Sequence, residues 1–178
     1  MLARRQGLPV DEAMPASMAV QRSFMATAEY AAAEVIAIYS PVHNEVDTSE
    51  LMKEALASSR VLLLPKVGRD RLEFRRVSAA GELKKGAYGI LEPTADCALH
   101  AAAGVDLVVI PGVAFDLRGR RIGYGKGYYD KTLHQLEGKG RLVGFCYDFQ
   151  LVDEIAHEPH DVVMDMVVTE RRVVRATD

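Results

Sequence analysis

From Ser17 to about Ala33 the apolar residues Val20, Phe24, Ala28 and Ala31 recur at helical spacing, which predicts an amphipathic helix. Upstream, Pro9 and Pro15 punctuate a segment rich in Ala and Met. Val35-Ile36-Ala37-Ile38-Tyr39 is a short β-prone run stopped by Pro41, and it reads as a buried strand. Asp47-Thr48-Ser49-Glu50 then has the spacing of a capping box. It opens a helix from Thr48 to Ser58 that carries Leu51, Met52, Ala55 and Leu56 on one face. Val61-Leu62-Leu63-Leu64 follows and stops at Pro65. Strand, helix and strand within about 30 residues form the βαβ unit of a parallel sheet.

Beyond that unit, Leu72, Phe74 and Val77 set against Glu73 and Arg75 predict a partly exposed strand or hairpin. Residues 81–93 contain three glycines and read as loop. Val105 to Ile110 is the clearest central strand and ends at Pro111-Gly112. A glycine-rich loop runs to Gly127, and a helix is expected from near Tyr128 until before Gly138. Arg141 to Cys146 and Val162 to Val168 supply further strands. No linker, repeat or compositional break divides residues 1–178, so the expected fold class is α/β, a single domain with an open sheet. Such a sheet places its ligand crevice at the carboxyl ends of the strands, so the loops after Ile38, Leu64 and Ile110 should meet there. Glu45 falls on that side.

Composition narrows the function. The chain of 178 residues is 49% apolar and 26% charged, which excludes disorder. A formal net charge of −3 argues against a general nucleic-acid binder. No apolar run approaches the ~20 residues of a membrane span, and no signal peptide is recognisable. Cys97 and Cys146 form no CxxC pair and read as reduced, buried thiols of a cytoplasmic protein.

The small total charge hides a segregation. Between Arg118 and Lys131 lie five cationic residues and one acid, interleaved with Gly123, Gly125 and Gly127. Free amides ahead of a helix, with that charge density, suit an anion such as phosphate. The pattern is neither a Walker loop nor the dinucleotide fingerprint, because Gly127 follows Lys126 and Tyr128 takes the place of the last glycine. Taken alone, it also fits a surface loop with solvated arginines. Leu142 to Glu170 holds no Lys or Arg, and its acids are of the type that binds Mg²⁺ or simply faces solvent. Asp165 stands out because it interrupts the apolar run from Val162 to Val168, so it calls for a cation or metal partner. His157 and His160 flank Pro159, a poor arrangement for zinc.

The block Ile110-Pro111-Gly112-Val113-Ala114-Phe115-Asp116, followed by Gly119 and by Arg121-Ile122-Gly123-Tyr124-Gly125-Lys126-Gly127-Tyr128-Tyr129-Asp130, resembles the signature of the 5-formyltetrahydrofolate cyclo-ligase family. Glu45-Val46-Asp47-Thr48, Leu64-Pro65-Lys66 and Asp165 add to the likeness, which spans roughly residues 30 to 169. The resemblance implies an ATP- and Mg²⁺-dependent closure of 5-formyltetrahydrofolate to 5,10-methenyltetrahydrofolate. It implies a fold like that of the ribose-phosphate isomerase and CoA-transferase-like group. Arg121, Ile122, Gly123, Tyr124, Gly125, Lys126, Gly127, Tyr128 and Tyr129 would hold ATP, with Lys126 as the catalytic cation. Glu45, Ser40 and the loop from Tyr124 to Tyr128 would meet the folate, and Asp130 and Asp165 would hold Mg²⁺. A monomer with no nucleic-acid or membrane partner is expected. The family's basic N-terminal start is shortened or divergent here, where only Arg4 and Arg5 are basic. The alternative reading is a non-catalytic folate- or nucleotide-binding relative.

Overall fold

The two apolar runs of the βαβ unit pair in parallel, with Ile36 of β1 (Val35–Ala37) beside Leu62 of β2 (Val61–Val67), joined through helix α4 (Ser49–Ala57). The computed structural model describes residues 1–176 except 70, 87–88, 126–127, 135, 137–139, 157 and 159–160, and except the Asp130 side chain. On the other side of β1 lie β6 (Leu107–Pro111), β9 (Arg141–Phe145) and β11 (Met166–Val168), all parallel to it. Antiparallel strands close both edges: β3 (Leu72–Val77) beside β2, and β12 (Val173–Arg175) beside β11. The seven-stranded order is β12-β11-β9-β6-β1-β2-β3.

All five residues of β6 are buried, as a parallel strand covered on both faces requires. Alternation along β1 divides the core. Ile36 and Ile38 pack with Val20, Phe24 and Leu51 from the helical side, whereas Ala37 packs with Leu63, Phe115 and Leu133 on the other. Helices α2 (Val10–Met25) and α3 (Ala28–Ala32) cover the first face together with α4. Helix α5 (Tyr128–Leu133) lies on the second. So does a small sheet of β7 (Ala114–Asp116), β8 (Arg121–Ile122) and β10 (Leu151–Val152). Among the described residues no helix is long and apolar enough to cross a membrane. Cys97 and Cys146 are buried and form no disulfide.

The differences from the sequence reading have local causes. The helix expected from Ser17 to Ala33 begins earlier and breaks at Thr27, whose hydroxyl donates to the Phe24 carbonyl at 2.7 Å and accepts the Tyr30 amide at 3.2 Å. Pro15 sits inside α2. The capping box does not form: the Thr48 hydroxyl donates to the Tyr39 carbonyl at 2.9 Å, and Asp47 caps the Ser49 amide instead at 2.8 Å. Residues 81–93 contain a hairpin, β4 (Leu83–Lys85) and β5 (Leu91–Pro93). The last parallel strand starts only at Met166, because the Met164 amide turns to the Gly119 carbonyl at 2.8 Å.

Candidate active site

The loops after β1, β2 and β6 do meet. They enclose a cavity of about 270 Å³ whose walls include Ser40, Glu45, Pro65, Pro111, Arg121 and Tyr124. His43 and Asn44 both adopt left-handed backbone, with φ of 50° and 60°, and this double turn delivers Glu45. The Glu45 side chain is only 3% exposed. Its Oε2 accepts the Val42 amide at 3.0 Å, and its Oε1 accepts the Tyr124 hydroxyl at 3.1 Å. Burial pushes the Glu45 carboxyl above its ordinary value, while the Val42 amide, Arg5 and Tyr124 pull against that rise.

The cation beside Glu45 is Arg5, from helix α1 (Leu2–Gln6), with Nη2 at 3.8 Å from Oε1. Arg5 is 1% exposed. Its Nε donates to the His43 carbonyl at 3.1 Å, Nη1 to the Gly112 carbonyl at 3.0 Å, and Nη2 to the Tyr124 hydroxyl. The Asn44 amide returns the tie by donating to the carbonyls of Arg5 and Leu8 at 2.8 and 2.9 Å. One guanidinium thus joins the β1–α4 loop, the Pro-Gly turn and the glycine-rich loop. Sequence reasoning leaves Arg5 without a place, since its hydrogen-bond partners lie 38, 107 and 119 residues away.

Of the glycine-rich loop, Arg121, Gly123, Tyr124, Gly125, Tyr128 and Tyr129 line the cavity. Gly125 has φ of +77°, a conformation that costs any residue with a Cβ about 1–2 kcal/mol. The Arg121 guanidinium lies 5.8 Å from the Tyr129 ring centre and donates to the Pro111 carbonyl at 3.4 Å. Burial pushes the Tyr39 and Tyr129 hydroxyls up, with the Glu45 charge adding to the rise, so both remain neutral hydrogen-bonding groups at ordinary pH. Ile122 pairs with Ala114 and is 46% exposed, away from the cavity wall. Lys126 and Gly127 lie outside the described residues, as do His157 and His160 and the Asp130 side chain.

Ser40 lines the cavity, but its hydroxyl is engaged by the Leu91 carbonyl at 2.6 Å and fastens the β4–β5 hairpin to the wall. Asp116 of the signature block is a fastener too: Oδ1 accepts the amides of Arg118 and Arg120, both at 2.9 Å, and Oδ2 accepts that of Ile155 at 3.0 Å. Asp165 is not brought to the cavity. It precedes β11, at the amino end of the parallel strands, where Oδ1 meets Arg141 at 2.9 Å and Oδ2 accepts the Leu142 amide at 2.7 Å. The cation that its place in an apolar run demanded is Arg141, and this position does not fit the metal role expected of it. Among the described residues no cluster of three or more His, Cys, Asp or Glu is arranged to hold a metal.

The arrangement offers apolar and aromatic walls for a ring system, a glycine-rich edge with an arginine for an anion, and a carboxylate held by internal donors. Comparisons with known proteins identify the family. The sequence model of the 5-formyltetrahydrofolate cyclo-ligase family matches residues 1–170. The 5-formyltetrahydrofolate cyclo-ligase of Mycolicibacterium smegmatis is 31% identical over 147 residues, covering 79% of this chain and 76% of that protein. That of Escherichia coli K12 is 27% identical over 175 residues, covering 96% of each. The solved structure of Aquifex aeolicus 5,10-methenyltetrahydrofolate synthetase superimposes with a TM-score of 0.90 at 36% identity, over 99% of this chain and 89% of that one. This chain is a member of the 5-formyltetrahydrofolate cyclo-ligase family.

Proposed function

We propose that this protein closes 5-formyltetrahydrofolate to 5,10-methenyltetrahydrofolate with ATP, releasing ADP and phosphate. A formyl amide oxygen is a poor leaving group at neutral pH. Transfer of the γ-phosphoryl group onto that oxygen gives an N5-iminium phosphate, and ADP leaves. The N10 lone pair then attacks the activated carbon, the N10 proton is lost, and the C–O bond breaks to free phosphate. Such chemistry is mostly positioning and charge neutralisation.

The loop from Arg121 to Tyr129 is proposed to hold the phosphates, with Lys126 neutralising charge as the phosphoryl group moves. Glu45, with Ser40 beside it on the cavity wall, is proposed to face the folate. Magnesium would supply further neutralisation of the triphosphate, and Asp130 is its proposed ligand on the strength of the sequence block. The observation that carries the reading is the hydrogen bond from Tyr124 of the glycine-rich loop to Glu45 of the β1–α4 loop, 79 residues earlier. It supports one site in which phosphate-binding and folate-binding segments meet.

The test is absorbance in the near-ultraviolet, where the methenyl product absorbs. The full chain with 5-formyltetrahydrofolate, Mg²⁺ and ATP should show ATP-dependent growth of that band, and Lys126→Ala should abolish it. No growth in the unaltered protein refutes the activity, and a full rate in Lys126→Ala refutes the role given to Lys126.

A further inference from the structure

Among the described residues two buried carboxylates line the cavity, and their surroundings differ. Glu45 has both oxygens engaged by Val42, Tyr124 and Arg5, as described above. Glu92, on β5, is 5% exposed. Its Oε2 lies 3.9 Å from Lys66 Nζ, beyond hydrogen-bond distance, and that ammonium donates to the Pro93 carbonyl instead at 3.0 Å. Its Oε1 is buried and has no hydrogen-bond partner among the described residues. A buried carboxylate oxygen without a donor is costly, and native proteins rarely keep one.

The position is also built. A Cβ on Gly86 would meet the Glu92 carboxyl, so glycine at that turn leaves the carboxyl its present place. The cavity that it lines has apolar and aromatic walls from Tyr39, Pro65, Val67, Leu72 and Ile90. A flat ring with N–H donors on one edge matches such a wall.

We propose that Glu92 recognises the pyrimidinone edge of the substrate pterin, accepting hydrogen bonds from its N3–H and 2-amino groups; this rests on the cyclo-ligase reading above. Those two donors sit side by side in one plane, the spacing that a carboxylate accepts from a guanidinium. Adenine presents a single amino group between the acceptors N1 and N7, which a carboxylate repels. Glu92 therefore selects the pterin and keeps the nucleotide base out of this part of the cavity. Glu45, whose oxygens are already engaged, keeps the glycine-rich loop in register with the substrate.

The experiment compares 5-formyltetrahydrofolate with an analogue that lacks the 2-amino group, in the unaltered protein and in Glu92→Gln and Glu92→Ala. The unaltered protein should favour the authentic substrate in kcat/KM by about 10- to 100-fold, the value of a hydrogen bond to a charged group. Glu92→Ala should shrink that preference to about 2-fold or less by raising KM for the authentic substrate. KM for ATP should stay within about 2-fold in both variants. Glu92→Gln, which keeps the side-chain shape, should fall between, and it decides the matter if far-ultraviolet dichroism shows that Glu92→Ala does not fold. Turnover with the same preference in the variants, or no preference in the unaltered protein, overturns the role of Glu92 alone. Absence of both turnover and folate binding in the unaltered protein refutes the cyclo-ligase reading itself.

Discussion

Arg5→Ala tests whether the N-terminal helix is part of the site or only leans on it. The guanidinium is 1% exposed and donates to two backbone carbonyls and to Tyr124, with the Glu45 carboxylate 3.8 Å away. Truncation leaves a carboxylate that is 3% exposed without its cation, and breaking a buried pair in this way costs about 3–5 kcal/mol. For a chain of this length that corresponds to a fall in Tm of about 6–20 °C. The pH dependence separates lost charge from lost packing. Glu45 titrates above its ordinary value in the folded protein, so between the unfolded and folded values the native state holds the extra proton. In that window stability falls as pH rises. Removing Arg5 removes a contribution that lowers the Glu45 value, so the window extends upward, by about 1.4 kcal/mol of stability for each unit of added shift.

Urea denaturation at a series of pH values therefore has a defined expected result. The gap between the unaltered protein and Arg5→Ala should be smallest below the ordinary carboxylate value. It should widen as pH rises through the window, and level off above the Glu45 value of the variant. In the background of Glu45→Gln the same truncation should give a gap that does not depend on pH. A flat gap with Glu45 in place, or an unchanged Tm, would show that the contact carries no electrostatic coupling.

Gly125→Ala should cost about 1–2 kcal/mol from its left-handed backbone and raise KM for ATP. Since an added Cβ would meet nothing within 4 Å, Gly125→Asn, which tolerates that backbone better, should recover part of the loss. An unchanged KM in both would remove the loop from phosphate binding. Asp116→Asn should lower stability by about 2–4 kcal/mol in urea, because an amide nitrogen replaces an oxygen that accepts a backbone N–H. A variant as stable as the parent would mean that water or a shifted loop takes over these bonds. Asp165→Asn should cost no more than about 1 kcal/mol, since Arg141 is 66% exposed, and should leave the Mg²⁺ dependence of turnover unchanged. A raised Mg²⁺ requirement would put Asp165 back at the site.

The parallel sheet was legible because each of its runs is short and apolar, and a buried parallel strand leaves that imprint directly. Pro65 does not end β2, which continues to Val67 paired with the antiparallel edge strand β3. Thr27 and Thr48 were misread for a common reason: a hydroxyl can bond to several nearby backbone groups, and tertiary geometry chooses among them. Pro15 marks no break because α2 tolerates it as its sixth residue, within a helix whose apolar face is held by the sheet. The site was legible only as a set of segments. That Arg121, Gly123, Tyr124, Gly125, Tyr128 and Tyr129 share a cavity with Glu45 follows from strand order, whereas Arg5 reaches them through contacts that no spacing rule encodes.

The acids show why a motif cannot assign roles by itself. Asp116, Asp165, Glu45 and Glu92 are all carboxylates; the sequence reading assigns Glu45 to the folate and Asp165 to Mg²⁺, places Asp116 only within the signature block, and gives Glu92 no role. Structure separates them by asking where each oxygen is already bonded. Asp116 is filled by three backbone amides, and Asp165 by Arg141 and the Leu142 amide, so neither has an oxygen awaiting a ligand. Glu45 has both oxygens engaged, by the Val42 amide and the Tyr124 hydroxyl, with Arg5 alongside. Glu92 alone of these four keeps a buried oxygen with no described partner, at a cost that folding does not repay. A group kept in that state, on the wall of the cavity where the family signature converges, is the one whose partner arrives with the substrate.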